Sequence, residues 1–353
     1  MVRSLKRLTP GAASALLIAL VSIMWAVPLN GAAHLFEREA GGAGGAGSLS
    51  KISAVTTAAT AALLRQRERG TRAATIRLPR AVRLSESSGH GLLVSTWING
   101  AGIYSFAVDT GAGATIISDR VARAAGVAFG RGSATVVSGM SGAGSVAGRE
   151  ASVRSLAIGD ENNLLPSTGM VVVTGGLPPD IDGVLDPTEA FWPLGYSIDM
   201  RRGEISAFDP RTTPVRMSDA PPDGAVVRWL FESGSRRPFV MLDGGRRALI
   251  DTGSGFGLAV SETAARAMGI PGQTGRDRDG VRDIAGGRIT ARRVAPATVQ
   301  IGALVLRRVP TDVLSGVVDG SPVLLGRDAL QPFYLSFDPL HRLILIAPER
   351  RDE

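Results

Sequence analysis

With 353 residues, 44% of them apolar and 20% charged, the chain is long enough for one large or two ordinary folded domains and does not have the composition of a disordered protein. It contains no cysteine, which excludes a disulfide framework, a Cys-bound zinc and a thiol nucleophile, and its three histidines, His34, His90 and His341, lie too far apart for a metal-site spacing. The net charge of +7 comes mostly from scattered arginines without interleaved aromatics, the pattern of a basic soluble surface and not of a nucleic-acid interface.

Arg3, Lys6 and Arg7 precede an apolar run, Ala12–Val27, which Pro28 stops. The run is shorter than the roughly 20 residues of a usual membrane span. Gly31, Ala32 and Ala33 offer a cleavage site. Residues 1–33 are therefore expected to be a secretory signal, with an uncleaved membrane anchor as the alternative. Either implies export, to the periplasm or medium or to the outer face of an inner membrane. Residues 34–85 include the linker "AGGAGGAGS" and an Ala-rich stretch with a basic end, with room for a pro-segment, and are expected to lie outside the folded body.

From residue 91 the sequence repeats itself. "SFAVDTGAGATIIS" (105–118) is answered by "RALIDTGSGFGLAVS" (247–261), with the two Asp-Thr-Gly triplets 251 − 109 = 142 residues apart. "SDRVARAAGV" (118–127) is answered by "SETAARAMGI" (261–270), 143 residues on. Each reads as a short helix with Ser118 or Ser261 as N-cap and Gly126 or Gly269 at its end. The change from 142 to 143 marks one inserted residue in "GSGFGLAV" relative to "AGATII". "IDGVLDPTEAFWPLGYSIDM" (181–200) parallels the run from "PVLLGRDALQPFYLSFDP" (322–339). Short alternating or β-branched runs separated by Gly- and Asp-rich turns fill the intervals, predicting an all-β body with one short helix per copy, over 86–212 and 222–348.

An Asp ending an apolar strand is costly to bury in ionised form. The Gly after Thr permits a tight turn that brings backbone N–H groups to the carboxylate. A Thr hydroxyl in one copy has a partner within reach in the other. Two such loops meeting on a pseudo-twofold axis bring two carboxylates together, and like charges that close share a proton. One carboxylate then serves as base toward a water, and the protonated one hydrogen-bonds the carbonyl under attack. The chemistry requires no cofactor, metal, Cys or His. A duplicated barrel that keeps Asp-Thr-Gly only as a turn is the bland alternative. A dinucleotide loop is disfavoured because Leu258 occupies the third glycine position.

The paired motifs resemble those of the aspartic peptidase superfamily that includes the pepsins and the retroviral proteases: "VDTGAG" is similar to the retroviral form, "IDTGSG" to the pepsin form, and "VLLGRDAL" (323–330) to the second family signature. The resemblance spans about 90–348. It implies two double-ψ β-barrel lobes, with Asp109 and Asp251 as the catalytic pair and Thr110, Gly111, Thr252, Gly253 and Ser254 supporting it. It also implies flaps at 138–145 and 282–289, including Gly139, Met140, Ser141, Ala285, Gly286 and Gly287. The expected activity is endopeptidase cleavage of extended polypeptides by a monomer without a cofactor. The alternative is an inactive bilobal barrel that binds peptides or a protein partner. Membrane association, if any, is expected through the N-terminal segment.

Two departures from the pattern stand out. Aligning Leu185 with Leu325 puts Asp186 where the second signature has Gly326, unless the register slips so that Gly183 fills that role. Ala112 stands where the second copy has Ser254, so one carboxylate is expected to lack a hydroxyl partner that the other has.

Overall fold

The computed structural model describes residues 77–348, with breaks at 88–90, 140–144, 168–169, 233–234, 273, 279–280, 284–286 and 318–319, together with two short strands near the start of the chain, Leu17–Ala19 and Val21–Met24. The architecture is the expected all-β one, two lobes that each fold about the same set of strands, with four short helices among the described residues, α1 (Asp119–Ala124), α2 (Pro187–Ala190), α3 (Glu262–Ala267) and α4 (Arg327–Leu330).

In the first lobe the strand Gly183–Leu185 lies between two neighbours, parallel to Ala101–Val108 and antiparallel to Ile116–Ser118, which in turn pairs parallel with Met170–Thr174. In the second, Val323–Gly326 lies parallel to Arg247–Asp251 and antiparallel to Leu258–Ser261, which pairs parallel with Leu304–Ser315. The duplication in sequence is thus a duplication of topology. These inserted strands are apolar throughout because both their faces are covered. Both ladders run up to an Asp, so each Asp-Thr-Gly turn emerges where strand pairing ends.

A third sheet, of six strands, joins the copies. Its order runs from Ala225–Arg228 through Leu343–Ala347, Tyr334–Asp338, Gly195–Asp199 and Glu204–Phe208 to Val82–Arg83. Gly195–Asp199 of the first copy pairs antiparallel with Tyr334–Asp338 of the second, and between them Ser197 Oγ donates to Ser336 Oγ at 2.9 Å. Tyr196 stacks on Phe337 at 4.6 Å between ring centroids, and both are fully buried. One continuous hydrophobic core runs through both lobes and this sheet.

The helix caps are those the sequence prescribes. Ser118 accepts from Val121 N–H and Ser261 from Ala264 N–H. Gly126 and Gly269 take positive φ (57° and 67°), and the N–H groups of Val127 and Ile270 reach back to Ala122 and Ala265, closing each helix with a left-handed turn.

The boundary at residue 85 needs correction. Val82–Arg83 pairs with Glu204–Ile205, and Ser85–Ser87 pairs with Gly91–Leu93. Val82 is buried against Gly159, where a side chain would collide with it. The folded unit therefore takes in residues from Leu78 onward. The strand is only two residues long, too short for an alternating pattern in the sequence to predict it. Near the start of the chain, Leu17–Ala19 is extended and pairs parallel with Val281–Asp283, while Val21–Met24 pairs antiparallel with Val136–Gly139.

Candidate active site

Asp109 and Asp251 end equivalent strands and are buried, at 1% and 0% exposure. They are joined through their neighbours. The Thr110 N–H donates to Thr252 Oγ1 and the Thr252 N–H to Thr110 Oγ1, each at 3.1 Å. The Thr110 hydroxyl donates to the Ile250 carbonyl at 2.7 Å and the Thr252 hydroxyl to the Val108 carbonyl at 3.2 Å. Each threonine thus satisfies its own hydroxyl and its partner's N–H with groups from the other lobe. No member of the set is completed within one lobe, so the two Asp loops hold each other in place.

Glycine is required where the loops touch. A Cβ on Gly253 would collide with the carboxyl of Asp109. The turns also aim donors inward: Gly111 N–H reaches Asp109 Oδ1 at 2.7 Å, and Gly253 and Ser254 N–H reach Asp251 Oδ1 at 3.0 and 3.1 Å. Oδ2 of Asp109 and Oδ2 of Asp251 are buried and have no protein donor. Two carboxylates cannot donate to one another, whereas a pair holding one proton can. Burial pushes both groups above the ordinary carboxylate range, and for Asp251 the nearby Asp109 charge adds to the effect. Two carboxyls that interact this way titrate as a pair and not singly.

Beneath the pair lies Arg327, largely buried, whose Nη1 donates to the carbonyls of Thr252 (3.1 Å) and Gly253 (3.0 Å). Its charge favours ionisation of both aspartates. Gly91 of the first lobe leaves the space that this guanidinium fills, since a Cβ there would overlap it. The sequence reading gives Arg327 no role, although its signal is present as the Arg-Asp pair after Gly326.

The position of Asp186 is settled by register. Leu185 pairs with Val108 as Leu325 pairs with Ile250, so Asp186 takes the place of Gly326 and no slip occurs. Gly183 lies opposite Phe106, where its Cβ would come within 2.6 Å of the Ile116 carbonyl. The expected hydroxyl difference at Ala112 takes another form. Ser254 Oγ accepts from the Phe256 N–H at 3.3 Å, and it is the Ser254 backbone N–H that meets Asp251.

Of the expected flap residues, Gly139 ends the strand Ala128–Gly139, which pairs with Ser145–Ser152, and Gly287 is buried. Met140, Ser141, Ala285 and Gly286 lie outside the described residues.

Residues 94–185 match a family model described as aspartyl protease, and residues 244–332 match one described as gag-polyprotein putative aspartyl protease. The two matches fall one on each lobe and each contains its Asp-Thr-Gly. The chain belongs to the retropepsin-like aspartic peptidase superfamily, and its family activity is that of a peptidase. No curated protein gives a significant match.

Proposed function

We propose that the protein is an aspartic endopeptidase that hydrolyses extended polypeptides with a water activated by Asp109 and Asp251. The observation that carries this reading is the crossed Thr110–Thr252 arrangement, which holds two buried carboxyls together with Oδ2 of each lacking a protein donor.

The carboxylate member of the pair takes a proton from water as the water oxygen attacks the scissile carbonyl carbon. The protonated member donates to the carbonyl oxygen, and a tetrahedral diol results. A proton then passes to the amide nitrogen, the C–N bond breaks, and a carboxylic acid and an amine leave with one proton again shared between the aspartates. Fixed N–H donors at Gly111, Gly253 and Ser254 hold the carboxyls so that little reorganisation accompanies the step. An extended substrate is supported by the chain's own strands Leu17–Ala19 and Val21–Met24, which pair with Val281–Asp283 and Val136–Gly139 where the expected flaps begin. Action as a monomer, after export directed by the first 33 residues, belongs to the same reading.

The test is cleavage of casein or a fluorogenic peptide library, with and without a statine-type inhibitor that mimics the tetrahedral diol. Inhibitor-sensitive cleavage by wild type, lost in Asp109→Asn and Asp251→Asn, is the expected result. Peptide binding without cleavage would instead establish an inactive binding barrel.

A further inference from the structure

The lobes cap their terminal helices differently. In the second lobe the loop after Asp251 supplies carbonyls to the start of α4: Gly326 N–H donates to Gly257, Arg327 N–H to Ser254 and Asp328 N–H to Phe256. Gly326 permits this docking, because a Cβ there would lie 2.5 Å from the Phe256 carbonyl. In the first lobe the loop is one residue shorter. The matched registers place Ile116 at the position of Ala259, so the intervals are 116 − 109 = 7 and 259 − 251 = 8. Side chains supply the missing acceptors. Asp186 Oδ1 accepts from the Thr188 N–H at 2.9 Å, and Thr115 Oγ1 accepts from the Asp186 N–H at 3.3 Å.

The substitution places a third acid beside the pair. Asp109 N–H donates to the Leu185 carbonyl at 3.0 Å, so Asp186, which follows that strand as the N-cap of α2, comes next to Asp109 at strand spacing, with the backbones about 5 Å apart. Asp186 is 1% exposed. The charged and titratable groups around it are Asp109 from its neighbouring strand, Glu189 from α2, and Tyr196, which reaches it through Thr188 (Thr188 Oγ1 to Tyr196 OH, 2.9 Å). Glu189 is itself paired with Arg236 at 2.6 Å. Burial pushes the Asp186 carboxyl well above the ordinary range, and the charges of Glu189 and Asp109 add to this.

We propose that Asp186 is a positioning residue for the Asp109–Asp251 pair: it ionises ahead of the pair, and its charge then holds the shared proton on the pair to higher pH. The order follows from the contacts. Removing the last proton from Asp109–Asp251 places two negative charges in contact, whereas ionised Asp186 meets Asp109 at strand spacing and Glu189, whose charge the pairing with Arg236 offsets, and retains the Thr188 N–H bond, which favours its charged form. The inference rests on the peptidase reading for its effect on rate, but not for the existence of the cluster.

The experiment compares wild type, Asp186→Asn and Asp186→Ala. Asparagine keeps the acceptor for Thr188 N–H and removes the charge, whereas alanine removes both. The alkaline limb of kcat/KM is expected to fall by about one pH unit in both variants, the magnitude of a coupled carboxyl neighbour. Loss of urea stability beyond the charge effect is expected in Asp186→Ala alone. A residue that only capped α2 would leave the Asp186→Asn profile on that of wild type, and this result overturns the proposal.

A second measurement does not depend on activity. A buried acid whose folded pKa is raised stabilises the fold below its unfolded pKa, about 3.9, relative to higher pH, and this stabilisation is lost as pH rises through the folded value. The fall in urea midpoint with rising pH should therefore be shallower in Asp186→Asn. A shallower fall without any peptide cleavage in wild type would retain the cluster and remove the peptidase reading. Cleavage with unchanged profile and unchanged slope would do the reverse.

Discussion

The turn around Asp109 and the turn around Asp251 perform the same task with different means. Both end an apolar strand that carries a second, parallel strand, and both exchange a threonine hydrogen bond with the other lobe. The second turn is longer, docks through backbone carbonyls, uses Gly326 and holds a buried arginine. The first is shorter and replaces those carbonyls with Asp186 and Thr115 side chains. The pair therefore has a cation beneath its second-lobe side and an extra acid on its first-lobe side. The two carboxyls keep a symmetric geometry, while the scaffold around them differs in charge between the lobes.

The largest effect is expected at the carboxyls, where the lobes are equivalent. Asp109→Asn and Asp251→Asn should each lower kcat by about 10³-fold or more, the range of a positioned acid or base, with circular dichroism unchanged. A large effect in one variant and none in the other would mean that the lobes do not share the chemistry. Gly253→Ala comes next. Its Cβ collides with the Asp109 carboxyl across the lobe boundary, and a displacement of about 1 Å at reacting groups can cost about 10²-fold in rate. Activity near wild type would show that the loops separate without consequence.

The threonines test the brace itself. Thr110→Val and Thr252→Val each strand a carbonyl and an N–H of the opposite lobe, and each should cost about 1–3 kcal/mol in urea unfolding. The Thr110 variant should lose more, since its hydroxyl makes the shorter bond, 2.7 Å against 3.2 Å. The smallest effect is expected for Ala112→Ser. The hydroxyl of Ser254 is engaged by Phe256 N–H, and the shorter first-lobe loop has one residue fewer in this region, so the pH–rate profile should not move. A downward shift of the alkaline limb would mean that the new hydroxyl reaches Asp109.

The repeat in the sequence made the fold and the candidate pair legible because the constraints involved are local. Ser118 and Ser261 announce helix starts, Gly126 and Gly269 their ends, and a polar Asp-Thr-Gly between apolar runs marks a turn that has to be buried. What remained illegible depends on contacts between distant segments. Val82 becomes a strand only because Glu204–Ile205 offers an edge. Arg327 acquires a role only where Gly91 leaves it space. Asp186 looks like a damaged signature until the one-residue difference in loop length shows which carbonyl it replaces. Ser254 suggested a hydroxyl contact where a backbone N–H supplies it.

The central claim is that one chain contains one complete site built from both lobes. It is tested most directly by measuring specific activity as the protein is diluted through the nanomolar range, alone and as a mixture of Asp109→Asn with Asp251→Asn. Lobes joined by a short connection experience an effective concentration on the order of mM, so specific activity should stay constant on dilution and the mixture should remain inactive. A steep loss of specific activity on dilution, or recovery of activity in the mixture, would mean that the site forms between two chains and would contradict the account.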